Sequence, residues 1–116
     1  MATNMEEMLE DSVLAKSCIT LAATVQRKTI TTLEGLKDAE GKLTPIQQAF
    51  WDEAGLQCAF CAPGMVLTAT ELLKGNAEPT DDEIRTAMAG NLCHCTGYQS
   101  IVRAVRAAAR VMKQLK

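Results

Sequence analysis

The chain has 116 residues and a formal net charge of −2, room for one ordinary domain or one small domain with an appendage, and no basic excess that would argue for nucleic acid or a membrane surface as partner. Apolar residues make up 47% but only Phe50, Trp51, Phe60 and Tyr98 are aromatic, which favours a core of Ala, Leu, Val, Ile and Met carried on helices. Five cysteines, behind a start (Met1 to Glu7) that is acidic where an export signal is basic and then apolar, argue against a disulfide framework and for reduced thiols in the cytoplasm.

In chain order, the acidic start gives way to an apolar stretch from Val13 to Val25, read as helix-like, with Cys18 inside it. Lys28 to Leu33 is β-branched enough for a short strand, and Gly35 and Gly41 bracket a polar link. From Thr44 onward the helix punctuation is plain. Thr44-Pro45-Ile46-Gln47 offers an N-cap, a proline at the first helical position and a capping-box partner, predicting a helix to about Ala54 that stops at Gly55. Pro63 opens a second helix that ends near Lys74 with Gly75 as its stop. Thr80-Asp81-Asp82-Glu83 is a second capping box, with acids suited to the helix N-terminus, and its helix stops at Gly90. After Thr96-Gly97, Tyr98 to about Leu115 is a long amphipathic helix, with Ile101, Val102, Val105, Ala108, Ala109 and Met112 inward. Its basic residues Arg103, Arg106, Arg110, Lys113 and Lys116 recur at three- and four-residue spacing, as a solvent face does. Met65, Val66, Leu67, Leu72 and Leu73 read as core, and Phe60 and Tyr98 as packing.

The helices form two similar halves. In each, a Thr-capped helix ends at a glycine, a cysteine follows three residues later (Gly55 to Cys58, Gly90 to Cys93), a second cysteine comes close behind (Cys61, Cys95), and another helix begins. The expected fold is therefore mainly α, a four-helix bundle with pseudo-twofold symmetry and a metal near its axis.

Two close cysteine pairs can wrap one metal centre with four thiolates. In a [2Fe-2S] cluster a short spacer would let each pair converge on one iron, and the unpaired amides of the following helices would stabilise the thiolates. A structural zinc site with four cysteines, in a small binding module or adaptor, satisfies the same spacing. A Rieske centre needs two histidines and His94 is the only one. A catalytic pair of His94 with Cys93 or Cys95 is disfavoured because adjacent side chains point apart and nothing orients the base. Cys18, far upstream, reads as a buried cysteine or the trace of another site.

Gln57-Cys58-Ala59-Phe60-Cys61-Ala62-Pro63-Gly64-Met65 and Gly90-Asn91-Leu92-Cys93-His94-Cys95-Thr96-Gly97-Tyr98 resemble the iron–sulfur subunit of the molybdenum hydroxylases, the xanthine dehydrogenase, aldehyde oxidoreductase and carbon monoxide dehydrogenase family. The resemblance extends over roughly residues 14–110, through Ser17-Cys18-Ile19-Thr20-Leu21-Ala22, Thr31-Thr32-Leu33-Glu34-Gly35-Leu36 and Pro45-Ile46-Gln47-Gln48-Ala49-Phe50. It moves iron–sulfur ahead of zinc. It implies residues 1–40 as a truncated ferredoxin-like β-grasp remnant and residues 41–116 as a [2Fe-2S]-binding four-helix domain, with Cys58, Cys61, Cys93 and Cys95 as ligands. Gln57 and Cys95 would lie against the molybdopterin of a large subunit, and electrons would leave toward FAD on a further subunit or another acceptor. Such a chain would not catalyse alone. Three positions depart from the family pattern: Ala59 replaces a glycine, Ala62 a threonine and His94 an arginine. The methyl of Ala59 is tolerable unless that residue needs positive φ. Cys18 matches the last ligand of a second cluster whose other three cysteines are not in this sequence, so the ferredoxin-like part is incomplete or lies on another polypeptide.

Overall fold

The computed structural model describes residues 7–10 and 13–115, so most of the acidic start, Met1 to Glu6, lies outside the described residues, as does Lys116. Helix α1 (Pro45–Asp52) begins at a reciprocal cap. The Thr44 hydroxyl accepts the Gln47 amide at 3.3 Å while the Gln47 side chain accepts the Thr44 amide at 2.9 Å, which satisfies two of the amides a helix start leaves open. The same device opens α3 (Asp81–Met88), with Thr80 and Glu83 in the two roles.

The stop of α1 differs in detail from the expected glycine cap. Ala54 takes the left-handed turn, with φ of 51°, and the Gly55 and Ala54 amides return to Phe50 O at 2.9 Å and Trp51 O at 3.3 Å. This is the double-bonded Schellman ending. Gly55 serves packing instead: a Cβ there would stand 3.0 Å from Phe50 Cδ1 and 3.2 Å from Ala104 Cβ. The missing side chain lets the end of α1 press against the final helix.

Helix α2 (Ala62–Gly75) starts with Cys61 as its N-cap and runs through Gly75. Helix α4 (Gln99–Gln114) follows Tyr98. The core gathers Phe50 from α1, Met65, Leu67 and Leu73 from α2, Ile84 and Met88 from α3, and Ile101 and Val105 from α4. Burying a side chain of this size is worth about 1.5–3 kcal/mol, so these faces hold the helices together. The outer face of α4 pairs with acids of its own chain. Arg103 meets Glu53 at 3.7 Å, Lys113 meets Glu78 at 2.6 Å, and Arg106 meets Asp81. Among the described residues no helix is long and apolar enough to cross a membrane.

Ahead of the helices lies a three-stranded antiparallel sheet in the order β2-β1-β3, formed by β1 (Glu7–Glu10), β2 (Val13–Lys16) and β3 (Ile30–Thr31). The helix-like reading of Val13 to Val25 is corrected: the segment is strand β2 followed by two 3-10 turns, Ser17–Ile19 and Ala22–Val25. The cause is non-local, because β2 pairs with β1 from Glu7↔Lys16 to Glu10↔Val13. The strand expected over Lys28 to Leu33 shortens to two residues. Cys18 is exposed rather than buried.

Two bonds fasten this sheet to the helices. The Leu14 amide donates to the Glu71 carboxylate of α2 at 2.9 Å, and the Lys16 ammonium donates to Gly90 O at 3.2 Å. Val13 of β2 and Ile30 of β3 remain open to solvent, as do Ile19 and Leu21 in the turns after β2, at 81% and 72% exposed.

Candidate metal centre

Four of the five cysteines lie in two turns, one between α1 and α2 and one between α3 and α4. Cys58 follows the Schellman end of α1 by a three-residue step, and Cys61 caps α2. Between them Ala59 has φ of 62°, so the condition under which its methyl becomes costly is met. The turn closes with the Ala62 amide on Ala59 O at 3.1 Å. Cys93 and Cys95 lie in the turn between α3 and α4, several residues ahead of α4. The expectation that both pairs directly precede a helix start therefore holds for Cys61 and not for the second pair.

The sulfur contacts run between the sequence pairs. The Cys95 thiol donates to Cys58 Sγ at 3.4 Å, and Cys61 and Cys93 stand close enough that the Cys61 thiol acts to lower the Cys93 pKa while its own is raised. The spacing argument had placed these contacts within each pair. The two contacts also differ in environment. Cys58 and Cys95 are exposed, Cys93 is half-buried and Cys61 is buried. Among the described residues no three His, Cys, Asp or Glu side chains are grouped as they would be around a single ion. The thiols are gathered in twos.

The electrostatics follow the hydrogen bonds. The Phe60 amide, then the Cys95 thiol, lower the Cys58 pKa. Donating to Cys58 raises that of Cys95, partly offset by the Cys58 amide on its sulfur. Burial works to raise Cys93, but the Thr96 hydroxyl and amide, the Cys95 amide and the Cys61 thiol outweigh it and leave its pKa lowered. The Thr96 hydroxyl stands 3.1 Å and its amide 3.5 Å from that sulfur. Burial, then donation to Cys93, push Cys61 up to about 12. A bare Cys61 is thus a thiol, and only a cation against its sulfur would make it a thiolate.

This donor set fits a cluster of two metals. Two thiolates on one tetrahedral metal with bonds near 2.3 Å stand about 3.8 Å apart, close to the Cys58–Cys95 separation. Soft sulfur donors suit iron–sulfur clusters and zinc alike, but twofold grouping suits two metals better than one.

Gln57 is exposed next to Cys58, and His94 is exposed between Cys93 and Cys95. Residues not singled out as site-forming complete the second turn. The Tyr98 hydroxyl accepts the Cys93 amide at 2.9 Å and donates to Asn91 O at 2.8 Å, and the Asn91 side chain donates to Thr68 of α2 at 2.8 Å. Thr96, one residue past Cys95, had a sequence signal. Asn91 stands in the same cysteine motif, while Thr68 had no such signal. A cavity of about 650 Å³ between the polar link, α1 and α4 is lined without any cysteine, so the thiol chemistry lies elsewhere.

Residues 32–106 match the family described as "[2Fe-2S] binding domain". The nicotine 6-hydroxylase small subunit of Paenarthrobacter nicotinovorans is 49% identical over 98 residues, which are 84% of this chain and 58% of that protein. The nicotinate dehydrogenase small FeS subunit of Eubacterium barkeri is 50% identical over 79% of this chain and 58% of its own length. The chain thus spans less than three fifths of these relatives. Among solved structures, quinoline 2-oxidoreductase from Pseudomonas putida 86 superposes with a TM-score of 0.86 at 41% identity, over 93% of this chain and 67% of that one. Aldehyde oxidoreductase from Desulfovibrio gigas gives 0.88 at 33% identity, over 100% of this chain and 14% of that one. With the family matched across both cysteine turns and the fold shared with these oxidoreductases, the chain belongs to the [2Fe-2S] binding domain family, alongside the small iron–sulfur subunits of xanthine- and nicotinate-type dehydrogenases.

Proposed function

We propose that Cys58, Cys61, Cys93 and Cys95 hold one [2Fe-2S] cluster, with Cys58 and Cys95 on one iron and Cys61 and Cys93 on the other, and that the chain is an electron-transfer subunit, or part of one, in a molybdenum hydroxylase. The observation that carries this is the crossed grouping of four thiols into two contacts. Bound there, the cluster would supply one-electron redox chemistry. The residues supply the rest. Amides of Phe60, Cys58, Cys95 and Thr96 point at sulfur, and burial of Cys61 keeps water from one side.

The crossed pairing also supports a pseudo-twofold bundle. An axis exchanging Cys58 with Cys93 and Cys61 with Cys95 carries one sulfur contact onto the other. The matching eight-residue capped helices α1 and α3 obey the same exchange. We place the division between a ferredoxin-like remnant (residues 1–40) and the cluster domain (residues 41–116) in the polar link before Thr44.

Exposure gives the centre a direction. Cys58, Cys95 and Gln57 are open to solvent while Cys61 faces the core, so the first three form the face that a molybdopterin-bearing large subunit would meet. An FAD subunit or another acceptor would receive the electrons. The exposed Ile19, Leu21, Val13 and Ile30 support a further protein contact on this side of the chain. An odd number of cysteines, which argues against a disulfide framework, supports a cytoplasmic location.

The test is the metal content and visible spectrum of protein purified without oxygen. Two irons and two labile sulfides per chain with charge-transfer absorption are expected. One zinc and no sulfide would replace this reading with a structural zinc module.

A further inference from the structure

We infer that Tyr98 is a positioning residue that keeps the Cys93 amide away from sulfur and so holds the reduction potential of the centre low. This rests on the four cysteines being cluster ligands. Other amides of the two turns act on sulfur where that of Cys93 does not. Thr96 N–H stands 3.5 Å from Cys93 Sγ, and the Phe60, Cys58 and Cys95 amides act to lower the pKa of Cys58, Cys95 and Cys93 respectively. The Cys93 amide instead donates to the Tyr98 hydroxyl at 2.9 Å. Hydrogen bonds to the sulfurs stabilise the more negative, reduced state and raise the potential. Binding this amide to oxygen removes one such donor.

The hydroxyl that accepts the Cys93 amide is fixed by a second bond of its own. It donates to Asn91 O at 2.8 Å. Asn91 is 1% exposed, and its amide nitrogen donates to Thr68 Oγ1 at 2.8 Å. Its Oδ1 has no hydrogen-bond partner among the described residues, and its backbone amide donates to Met88 O at 3.0 Å. Tyr98 itself sits at φ of 67°, with its amide on Thr96 Oγ1 at 3.1 Å. A left-handed aromatic residue is kept only where its surroundings demand it. The route Thr68, Asn91, Tyr98, Cys93 ties α2, the helix that Cys61 caps, to the turn holding Cys93.

The experiment is a redox titration followed by electron paramagnetic resonance on anaerobically purified wild type and Tyr98→Phe, with iron and labile sulfide measured on both. Wild type lacking iron and sulfide would overturn the cluster reading itself. With the cluster present in both, a more positive potential in Tyr98→Phe is expected, and an unchanged or more negative one would overturn the role of Tyr98. If Tyr98→Phe does not retain its cluster, Thr68→Val and Thr68→Ser carry the test. The valine variant should shift in the same direction by less and the serine variant should match wild type. A wild-type potential in Thr68→Val would overturn the proposal.

Discussion

The Cys95 thiol lies 3.4 Å from Cys58 Sγ across a sequence separation of 37 residues, closer than the local spacing of either cysteine pair would suggest. It makes the two turns interdependent, since the contact draws one thiol from each turn. Replacing any of Cys58, Cys61, Cys93 or Cys95 by Ala should therefore empty the site. The loss should exceed the roughly 10- to 100-fold in metal affinity that removing an outer partner costs. Cys18→Ser should retain wild-type iron. Iron and sulfide per chain check both outcomes.

Ala59 holds φ of 62° in the first turn, a conformation that costs a residue with a Cβ about 1–2 kcal/mol relative to the right-handed region. Glycine would relieve that strain but lose more chain entropy on folding. Ala59→Gly should stabilise the protein by about 1 kcal/mol, read as a higher denaturant midpoint at unchanged slope, without altering iron content.

At Gly55 the opposite substitution is costly. A methyl would press on Phe50 Cδ1 at 3.0 Å and Ala104 Cβ at 3.2 Å, and both residues are buried in the core. Gly55→Ala should destabilise by about 1–3 kcal/mol, the usual cost of overpacking, measured as a lower midpoint. Gly75→Ala, where a Cβ would meet nothing within 4 Å, should stay within about 0.5 kcal/mol of wild type.

The two capping boxes should separate with pH. In α3 the Thr80 amide, then its hydroxyl, lower the Glu83 pKa, with bonds of 2.7 Å and 2.9 Å. A carboxylate with a depressed folded-state pKa contributes stability above its unfolded value and loses it as pH falls through the folded one. In α1 the same place is filled by Gln47, which does not titrate. Acidification below the ordinary glutamate range should therefore speed amide exchange at the start of α3 before α1. Glu83→Gln should remove that difference.

Much of the helical half was legible because its signals are local. A Thr–Gln or Thr–Glu box is read within four residues, and the inward stripe of α4 within one periodicity. The ends were less so: Gly55 looked like a conformational stop, while its structural need is the approach of Phe50 and Ala104. The segment after Val13 was misread because its strand exists only through pairing with Glu7 to Glu10. Apolar periodicity cannot show a partner.

By itself the sequence determined the four cysteines, their two turns, the capped helices that frame them and the family they announce, because each depends on residue type at short spacing. Only the tertiary structure decided which sulfur faces which, that Cys61 is buried while Cys58 and Cys95 are open, and that Tyr98 takes the Cys93 amide. The contact of Cys58 with Cys95 joins two turns 37 residues apart in sequence. Packing sets such relations, through core contacts and close approaches that no local pattern encodes.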